Sequence, residues 1–529
     1  QYVREKCIEL DEERSLAIEG HTVHYDAFVN MKNHDQARDK EHTKTLVPEG
    51  KYTSPWINTI NRKEGLDEVL DIMDGSMKDH ECLVRFFCLG PLDSRFSILA
   101  LQITDSFYVA HSEDLLYRKG YEAFKELNGS DDFFYFVHSS GKLIGDPPVT
   151  KNLQKRRIYI DLEENRVLSV NNQYAGNSLG LKKLALRLAI HKAENEGWLA
   201  EHFFILGIHP KEKNRVTYFC GAFPSGCGKT STAMLPGQTI IGDDIAYLRP
   251  WEDGYSHAAN IESGVFGIIR DVNPLHDPEI YQAITTPKEV IFTNVLINNG
   301  KPYWLGMGRK IPEKGFNFSG EWYDGKTDEK SIQIPSAHPN ARYTVRIEEL
   351  KNCDPNLQNS DGVPIHAIFY GGRDSDTMPP ILESLDWDHG IYFGASLESE
   401  TTDQTLGKAG VRTANPMANL DFIVIPLGKY LNNYSKFGNS IQNPPKIFAT
   451  NYFLKDDDGN YLNGMLDKLV WVMWAEGRTH GDYEAIKTPA GYIPKYEDLR
   501  GLFKKYLRKE YKREDYEKQF SIRTNKLLE

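Results

Sequence analysis

The ten residues Gly221-Ala-Phe-Pro-Ser-Gly-Cys-Gly-Lys-Thr230 carry the clearest chemistry in the chain. Glycines in such a turn let backbone N–H groups face phosphate oxygens. A helix beginning at the following STAML adds dipole charge of the right sign. Lys229 has the reach for β- and γ-phosphates, and the Thr230 hydroxyl suits Mg²⁺. The usual phosphate-loop spacing, G-x4-G-K-[ST], fails at its first glycine, where Phe223 stands before Pro224, although GCGKT is intact. Asp243 and Asp244 follow the next apolar run. A carboxylate at a strand end beside a phosphate loop is where a metal ligand is expected. Taken alone, the Asp pair is equally a turn that ends a strand.

Other candidates are weaker one at a time. His202 opens an apolar run, where a hydrogen-bonded core histidine is commoner than a ligand. Lys182 and Lys183 stand near the start of a helical stretch, where a solvated face is the ordinary reading. Arg342 lies in HPNAR, Arg373 in YGGR and Arg38 in QARD. A guanidinium held in a loop suits bidentate binding of phosphate or carboxylate, though a surface ion pair accounts for any single one. No Cys/His spacing of a structural zinc site is present.

These residues need strands and helices to bring them together. CLVRFFCL, FSILALQIT and FYVAH read as strands, and RRIYIDLEENRVLSV as a hairpin turning at Glu163–Asn165. A helix is expected around Gly65–Met77, and another in LKKLALRLAIHKAENEGW, ending at Gly197. HFFILGI, VTYFCGAF and TIIGDDIAYL read as strands, as do HAIFYGG, GIYFGAS and FIVIPLG. Residues 285–345 alternate strands with turns, and the end from Asp467 reads as mostly helical. The class is α/β, with an N-terminal lobe of residues 1–200 and a nucleotide lobe of residues 201–529.

Composition narrows the function. The 529 residues are 40% hydrophobic and 26% charged, ordinary for a globular chain with a large core. A net charge of -12 leaves no basic footprint for nucleic acid. No run approaches the length of a membrane helix. Six cysteines do not make a disulfide framework, which fits a reducing, cytoplasmic compartment. The chain opens on Gln1 without an apolar leader and stops in charged residues without a helix cap, so further residues are expected at both ends.

Twelve segments then fall in order: QARDKEHTKTLV, GPLDSRFSILALQITDSFYVAH, YAGNSLGLKKLALRLA, EGWLAEHFFILGI, GAFPSGCGKT, IGDDIAY, VIFTNV, AHPNARY, FYGGRDSDTMPP, GASLESETT, PKIFATNYFLKDDDGNYL and TPAGYIPK. This series spans most of residues 30–495 and resembles the GTP-type phosphoenolpyruvate carboxykinase family. The FPS-x-CGKT form of the loop is peculiar to that family. The resemblance implies a two-lobed, P-loop-containing carboxykinase fold with mixed sheets and a mobile Ω-loop lid. It implies reversible conversion of oxaloacetate and GTP to phosphoenolpyruvate, CO₂ and GDP by a monomer with no membrane or nucleic-acid partner.

It also implies roles. Lys182, His202 and Asp244 would hold Mn²⁺, and Thr230 the Mg²⁺ that accompanies the nucleotide. A lysine ligand must be neutral, so neighbouring positive charge and burial would have to lower its pKa. Arg38 and Asn340 would bind the substrate carboxylate, with Tyr174, Ala175 and Gly176 against the carboxylate or CO₂. Lys183 would assist near the cation and the transferring phosphate, and Ser225 would orient a phosphate oxygen or water. Lys229, Arg342 and Arg373 would offset charge on the transferred group. Gly226, Cys227, Gly228 and Ser231 complete the nucleotide loop. Cys227, beside Lys229 and helix-start amides, is expected to ionise easily. The family match makes it a reactive thiol open to alkylation or oxidation, not the nucleophile. Residues 400–410, with Gly407 and Gly410, would form the lid. Phe453 matches the first aromatic of the family's guanine clamp and Tyr461 replaces the second. The third falls in Asn463–Lys468, which has no aromatic. One residue fewer than the family pattern separates Lys183 from His202. The altered clamp leaves ATP or pyrophosphate as alternative donors. A non-catalytic nucleotide binder would need a broken set, whereas Arg38, Lys182, His202, Lys229, Thr230, Asp244, Arg342 and Arg373 are all present.

Overall fold

The structure, a computed structural model, describes residues 1–26, 41–51, 55–173, 181–401 and 410–521. Two compact units interleave along the chain. The first takes residues 1–192, 261–353 and 422–426; the second takes 193–260, 354–421 and 427–529. Each unit gathers segments that are far apart in the sequence. The physical reason is strand pairing across long sequence distances: His21–His24 pairs in parallel with Val290–Thr293, which ties residues 261–353 to the N-terminal segment.

The first unit holds an eight-stranded mixed sheet and a five-stranded sheet. The expected hairpin is present: Arg157–Asp161 pairs antiparallel with Arg166–Val170. Leu83–Leu89 and Ile98–Thr104 pair as strands of the same sheet. The helix expected at Gly65–Met77 runs Arg62–Met73, started by Asn61, whose side chain accepts the amides of Lys63 and Glu64. FYVAH corrects the sequence reading. It lies in helix Phe107–Leu116, not in a strand. Nearly every residue of that helix is buried, so it shows no polar face and no 3.6-residue period. Its start is fixed by a local cap and a tertiary one: the Ser106 hydroxyl accepts the Val109 amide, and Glu12 accepts the amides of Phe107 and Tyr108 and the Ser106 hydroxyl.

The second unit is built on an eleven-stranded mixed sheet. Three neighbouring strands at its centre run parallel: Thr217–Ala222 beside Val363–Gly372, and Val363–Gly372 beside Lys446–Asn451. Thr217–Ala222 is buried along its whole length, and Val363–Gly372 along most of it, as central strands covered on both faces must be. Phe204–Ile208 runs antiparallel to Thr217–Ala222, and Thr239–Gly242 runs antiparallel to Phe204–Ile208.

Two further expected strands are corrected here. GIYFGAS lies in helix Trp387–Ala395, started by Asp386, whose side chain accepts the amide of His389. FIVIPLG forms no strand; Phe422 ends a short 3₁₀ turn and the chain passes through Pro426 into helix Leu427–Asn439. From Asp467 the described chain is mostly helical and is interrupted by the hairpin Ala485–Thr488 with Gly491–Pro494. No helix among the described residues is long and apolar enough to cross a membrane. All six cysteines are free thiols.

Candidate active site

Strand direction explains how distant residues of the second unit meet. The loop 223–228 follows the C-terminal end of Thr217–Ala222. Arg373 follows the C-terminal end of Val363–Gly372, and Tyr452 and Phe453 follow that of Lys446–Asn451. Gly372 is in register with Asn451, so these ends lie side by side. Thr239–Gly242 runs the same way, delivering Asp243 and Asp244 to that edge, while His202 precedes the start of antiparallel Phe204–Ile208. The carboxyl edge of parallel strands is where open α/β sheets bind ligands.

Within the loop, Gly226 and Gly228 have φ of 74° and 103°. Side chains other than glycine resist this left-handed backbone. A Cβ on Gly228 would stand 3.0 Å from the Tyr452 ring. Phe223, where the generic pattern has glycine, is itself packed: its ring stacks on Phe204 and Tyr452 at 6.0 and 5.9 Å. Gly371 makes this possible, since a Cβ there would sit 1.9 Å from the Phe223 ring. The bulky residue is therefore compensated from the neighbouring strand. Helix Lys229–Ala233 begins directly after Gly228.

Lys229 Nζ donates to the Asp244 carbonyl at 2.9 Å and to its carboxylate Oδ1 at 2.7 Å. His202 Nε2 lies 2.6 Å from the same Oδ1. His202 and Asp244 are both buried. An imidazole nitrogen and a carboxylate oxygen held together in a shielded pocket form a donor pair suited to a divalent cation. Thr230 is exposed at the loop, and Ser225 and Ser231 are half-buried there.

Arg373 closes the other side of the loop. Its Nη2 donates to the Gly226 carbonyl at 3.0 Å, and its guanidinium lies 3.6 Å from the Phe453 ring centroid. Tyr461 sits edge-on to Phe453 at 6.2 Å and is 53% exposed. An aromatic pair of this kind can take a purine by stacking.

Cys227 departs from its expected chemistry. It is 1% exposed, and its Sγ lies 3.1 Å from the Ser399 hydroxyl. Burial pushes the thiol up, outweighing the Ser399 contact and Arg373, so easy ionisation is not what this environment favours. Ser399 also accepts the backbone amide of Arg373 at 3.0 Å. It thereby links the two loops, a role no sequence motif signals.

The first unit positions its own set. Lys182 Nζ is 3.1 Å from Glu262 Oε1, and the side chains are 2% and 1% exposed. Lys183, at the start of helix Lys183–Glu196, lies 4.9 Å from the Phe422 ring centroid, and Arg187 stands 5.0 Å from the same ring. Arg342 begins strand Arg342–Arg346 and donates Nε to Asn340 Oδ1 at 3.1 Å. The Asn340 amide donates to His338 Nδ1 at 3.0 Å, which fixes this turn. Glu262 was not legible as a partner of Lys182, because 80 residues separate them.

Arg38, Tyr174, Ala175 and Gly176 lie outside the described residues, as does 402–409 of the expected lid, with Gly407. The flanks of that loop are described. Glu398–Glu400 pairs antiparallel with Arg412–Ala414. Arg412 is bonded to Asp374 and Asp376, and Glu400 accepts the amide and hydroxyl of Ser375. The base of the loop is thus tied to the segment that follows Arg373.

Comparison with known proteins gives the family of the chain. Residues 198–529 match the model of the phosphoenolpyruvate carboxykinase C-terminal P-loop domain, and residues 1–194 that of the N-terminal domain. The chain belongs to the GTP-type phosphoenolpyruvate carboxykinase family. A relative from Pyrococcus abyssi, phosphoenolpyruvate carboxykinase [GTP], is 54% identical over 530 residues, covering 100% of this chain and 84% of the relative. One of the same name from Thermococcus kodakarensis is 55% identical over 529 residues, covering 100% and 83%. Another, from Saccharolobus solfataricus, is 47% identical over 531 residues, covering 100% and 83%.

Proposed function

We propose that the chain is a GTP-dependent phosphoenolpyruvate carboxykinase that converts oxaloacetate and GTP to phosphoenolpyruvate, CO₂ and GDP, reversibly. The observation that carries this reading is the single carboxylate oxygen of Asp244 held by both Lys229 and His202 at the edge that bears the phosphate loop. A phosphate-binding lysine and a cation-binding pair share one atom there. Phosphoryl transfer and stabilisation of the enolate intermediate are thereby joined in one place.

The residues divide the work as follows. Gly226, Gly228 and the start of helix Lys229–Ala233 present amides to the nucleotide phosphates, with Ser231 and Thr230 beside them. His202, Asp244 and Lys182 are assigned to Mn²⁺, and Thr230 to the Mg²⁺ of the nucleotide. The divalent cation supplies Lewis-acid stabilisation of the enolate charge. Arg38, Asn340 and Tyr174, with Ala175 and Gly176, bind and orient oxaloacetate. The bond to its departing carboxylate breaks, CO₂ leaves, and the enolate oxygen attacks the γ-phosphorus as the bond to GDP breaks. Lys229, Arg373 and Arg342 offset charge on the transferred group, with Lys183 and Ser225 orienting it. Phe453 and Tyr461 hold the base. Closure of residues 400–410 excludes water and keeps the enolate from taking a proton to become pyruvate. Cys227 takes no covalent part; it packs between the loop and Ser399. We assign the protein to the cytoplasm as a monomer.

The test is product analysis from oxaloacetate with Mn²⁺ and GTP, ATP or pyrophosphate, repeated with Lys229→Ala and Asp244→Asn. Phosphoenolpyruvate should form with GTP, and each substitution should lower that turnover by at least about 100-fold. Oxaloacetate loss that yields only pyruvate, whatever the donor, would overturn the phosphoryl-transfer half. Preference for pyrophosphate or ATP would overturn GTP as the donor.

A further inference from the structure

We infer that Cys7, Glu13 and His111 form a second metal site, one for a thiolate-binding divalent cation such as Zn²⁺, apart from the nucleotide loop. Cys7 lies on helix Tyr2–Glu9 and His111 on helix Phe107–Leu116. The two helices touch through Tyr2 and Phe107, whose ring centroids are 6.1 Å apart. Glu13 lies between the first helix and the strand that follows. The Cys7 sulfur, a Glu13 oxygen and a His111 ring nitrogen all lie within 4.8 Å of one another, and all three residues are buried. They belong to one compact unit.

The surroundings are those of a ligand set. His111 Nδ1 is 2.8 Å from Glu13 Oε1, and Nε2 is 3.1 Å from Glu289 Oε1. With Nδ1 on a cation, the Nε2–H to Glu289 contact becomes the carboxylate-to-histidine support that orients metal-bound imidazoles. The other Glu13 oxygen accepts the Thr22 hydroxyl at 2.6 Å, which orients the carboxylate in the same way. Val3, Phe107, Leu115 and Ile291 pack around Cys7 as an apolar shell. Thiolate, imidazole and carboxylate together select zinc, cobalt or iron over magnesium or calcium.

Charge supports the exchange of a cation for protons. Without metal, burial keeps Cys7 a neutral thiol. Burial alone would lower His111, but Glu13 and Glu289 outweigh it and push it up to about 9, so it is protonated between two carboxylates. A divalent cation that displaces the Cys7 and His111 protons leaves the net charge of this buried group unchanged. The swap thus avoids burying an uncompensated charge, which is what ordinarily forbids an ion in an apolar core. Three protein ligands leave one tetrahedral position for a water.

The probe is Co²⁺, added to the full chain after chelator treatment and in excess Mg²⁺. The readout is the thiolate-to-cobalt charge-transfer absorption in the near ultraviolet. One equivalent of thiolate-bound cobalt per chain is expected in the unaltered protein and in Cys227→Ser, falling to none in Cys7→Ser. Turnover of Cys7→Ser with Mn²⁺ should stay at the level of the unaltered enzyme. In excess Mg²⁺, Zn²⁺ should raise the unfolding midpoint of the unaltered chain by more than it raises that of Cys7→Ser. A folded, unaltered chain that takes up no thiolate-bound cobalt overturns the proposal without recourse to any variant. So does a band that survives in Cys7→Ser, and one lost in Cys227→Ser alone assigns the thiolate to the nucleotide loop instead.

Discussion

Asp244 Oδ1 accepts from Lys229 and contacts His202, so one carboxylate oxygen ties the two cationic side chains together. That sharing fixes the Lys229 ammonium beside the start of its own helix, the position from which it is proposed to meet the nucleotide phosphates. The same economy of position applies to Gly228, which combines a left-handed backbone with a close approach to Tyr452. Gly228→Ala would put a Cβ where φ is 103° and the ring is 3.0 Å away. The left-handed conformation alone costs an alanine about 1–2 kcal/mol. The loop should shift to relieve this, weakening GTP binding by roughly tenfold while leaving the sheet beneath intact. Calorimetric titration with GTP reads the effect. An alanine variant with the affinity of the original chain would show that the loop tolerates a side chain there.

At the scale of elements, glycines decide what packs on the central strands. Gly390 and Gly394 are four residues apart in helix Trp387–Ala395 and so share a face. A Cβ on Gly390 would stand 2.5 Å from Ile447, and one on Gly394 would stand 2.4 Å from Met417 and 3.0 Å from Tyr370. The helix can approach strand Lys446–Asn451 because its contact face has no side chains there. This is why GIYFGAS misleads as a sequence. Its apolar run looks like a buried strand, but its glycines are a packing surface. Gly390→Ala should destabilise the fold by about 1–3 kcal/mol through overpacking, measured as a drop in the thermal midpoint. An alanine tolerated without loss would mean that the helix does not depend on that close approach.

For the whole molecule, the buried group around His111 makes stability depend on pH. His111 is raised to about 9 in the fold, above its ordinary value near 6.5. Its contribution is complete below about 6.5 and disappears as pH rises through about 9. Burial opposes ionisation of Glu13, but His111 and Thr22 outweigh it and hold its carboxyl below the usual range. Glu289 is lowered too, chiefly by its hydrogen bond with His111. These two carboxylates contribute above about 4.5 and lose their contribution as pH falls. Metal-free protein should therefore show a lower urea midpoint at about pH 10 than at about pH 6, and His111→Gln should shrink that difference. An equal alkaline loss in the variant would place its origin in other groups. Cys7, which burial keeps neutral in the fold while the unfolded chain's thiol ionises near 9, adds its own alkaline loss above that pH, and His111→Gln leaves that part in place.

Much of the layout of the candidate site was legible, because its residues follow local strand-and-turn patterns. GCGKT, Asp244 after an apolar strand and Arg373 after FYGG are each set by a strand and the turn that ends it. The strand edge gathers them whatever the rest of the fold does. The helix Lys183–Glu196, read from the spacing of its apolar residues and the Gly197 that ends it, and the hairpin at Arg157–Val170 were legible for the same reason, since spacing and turns act over a few residues. Three things were decided only in three dimensions. The helix Phe107–Leu116 lacks a polar face because it is surrounded, and burial on every side erases the period that marks a helix. Cys227 sits among groups that should favour a thiolate, yet the depth of its pocket reverses that preference. Glu262 beside Lys182, and Cys7 beside His111, are pairings between residues about 80 and 100 apart, and no local rule couples such positions. Sequence by itself determined which side chains can do phosphoryl chemistry, because that depends on functional groups and short spacings. The tertiary structure decided their environments, because dielectric, packing and charge partners depend on segments that meet only when the chain is folded.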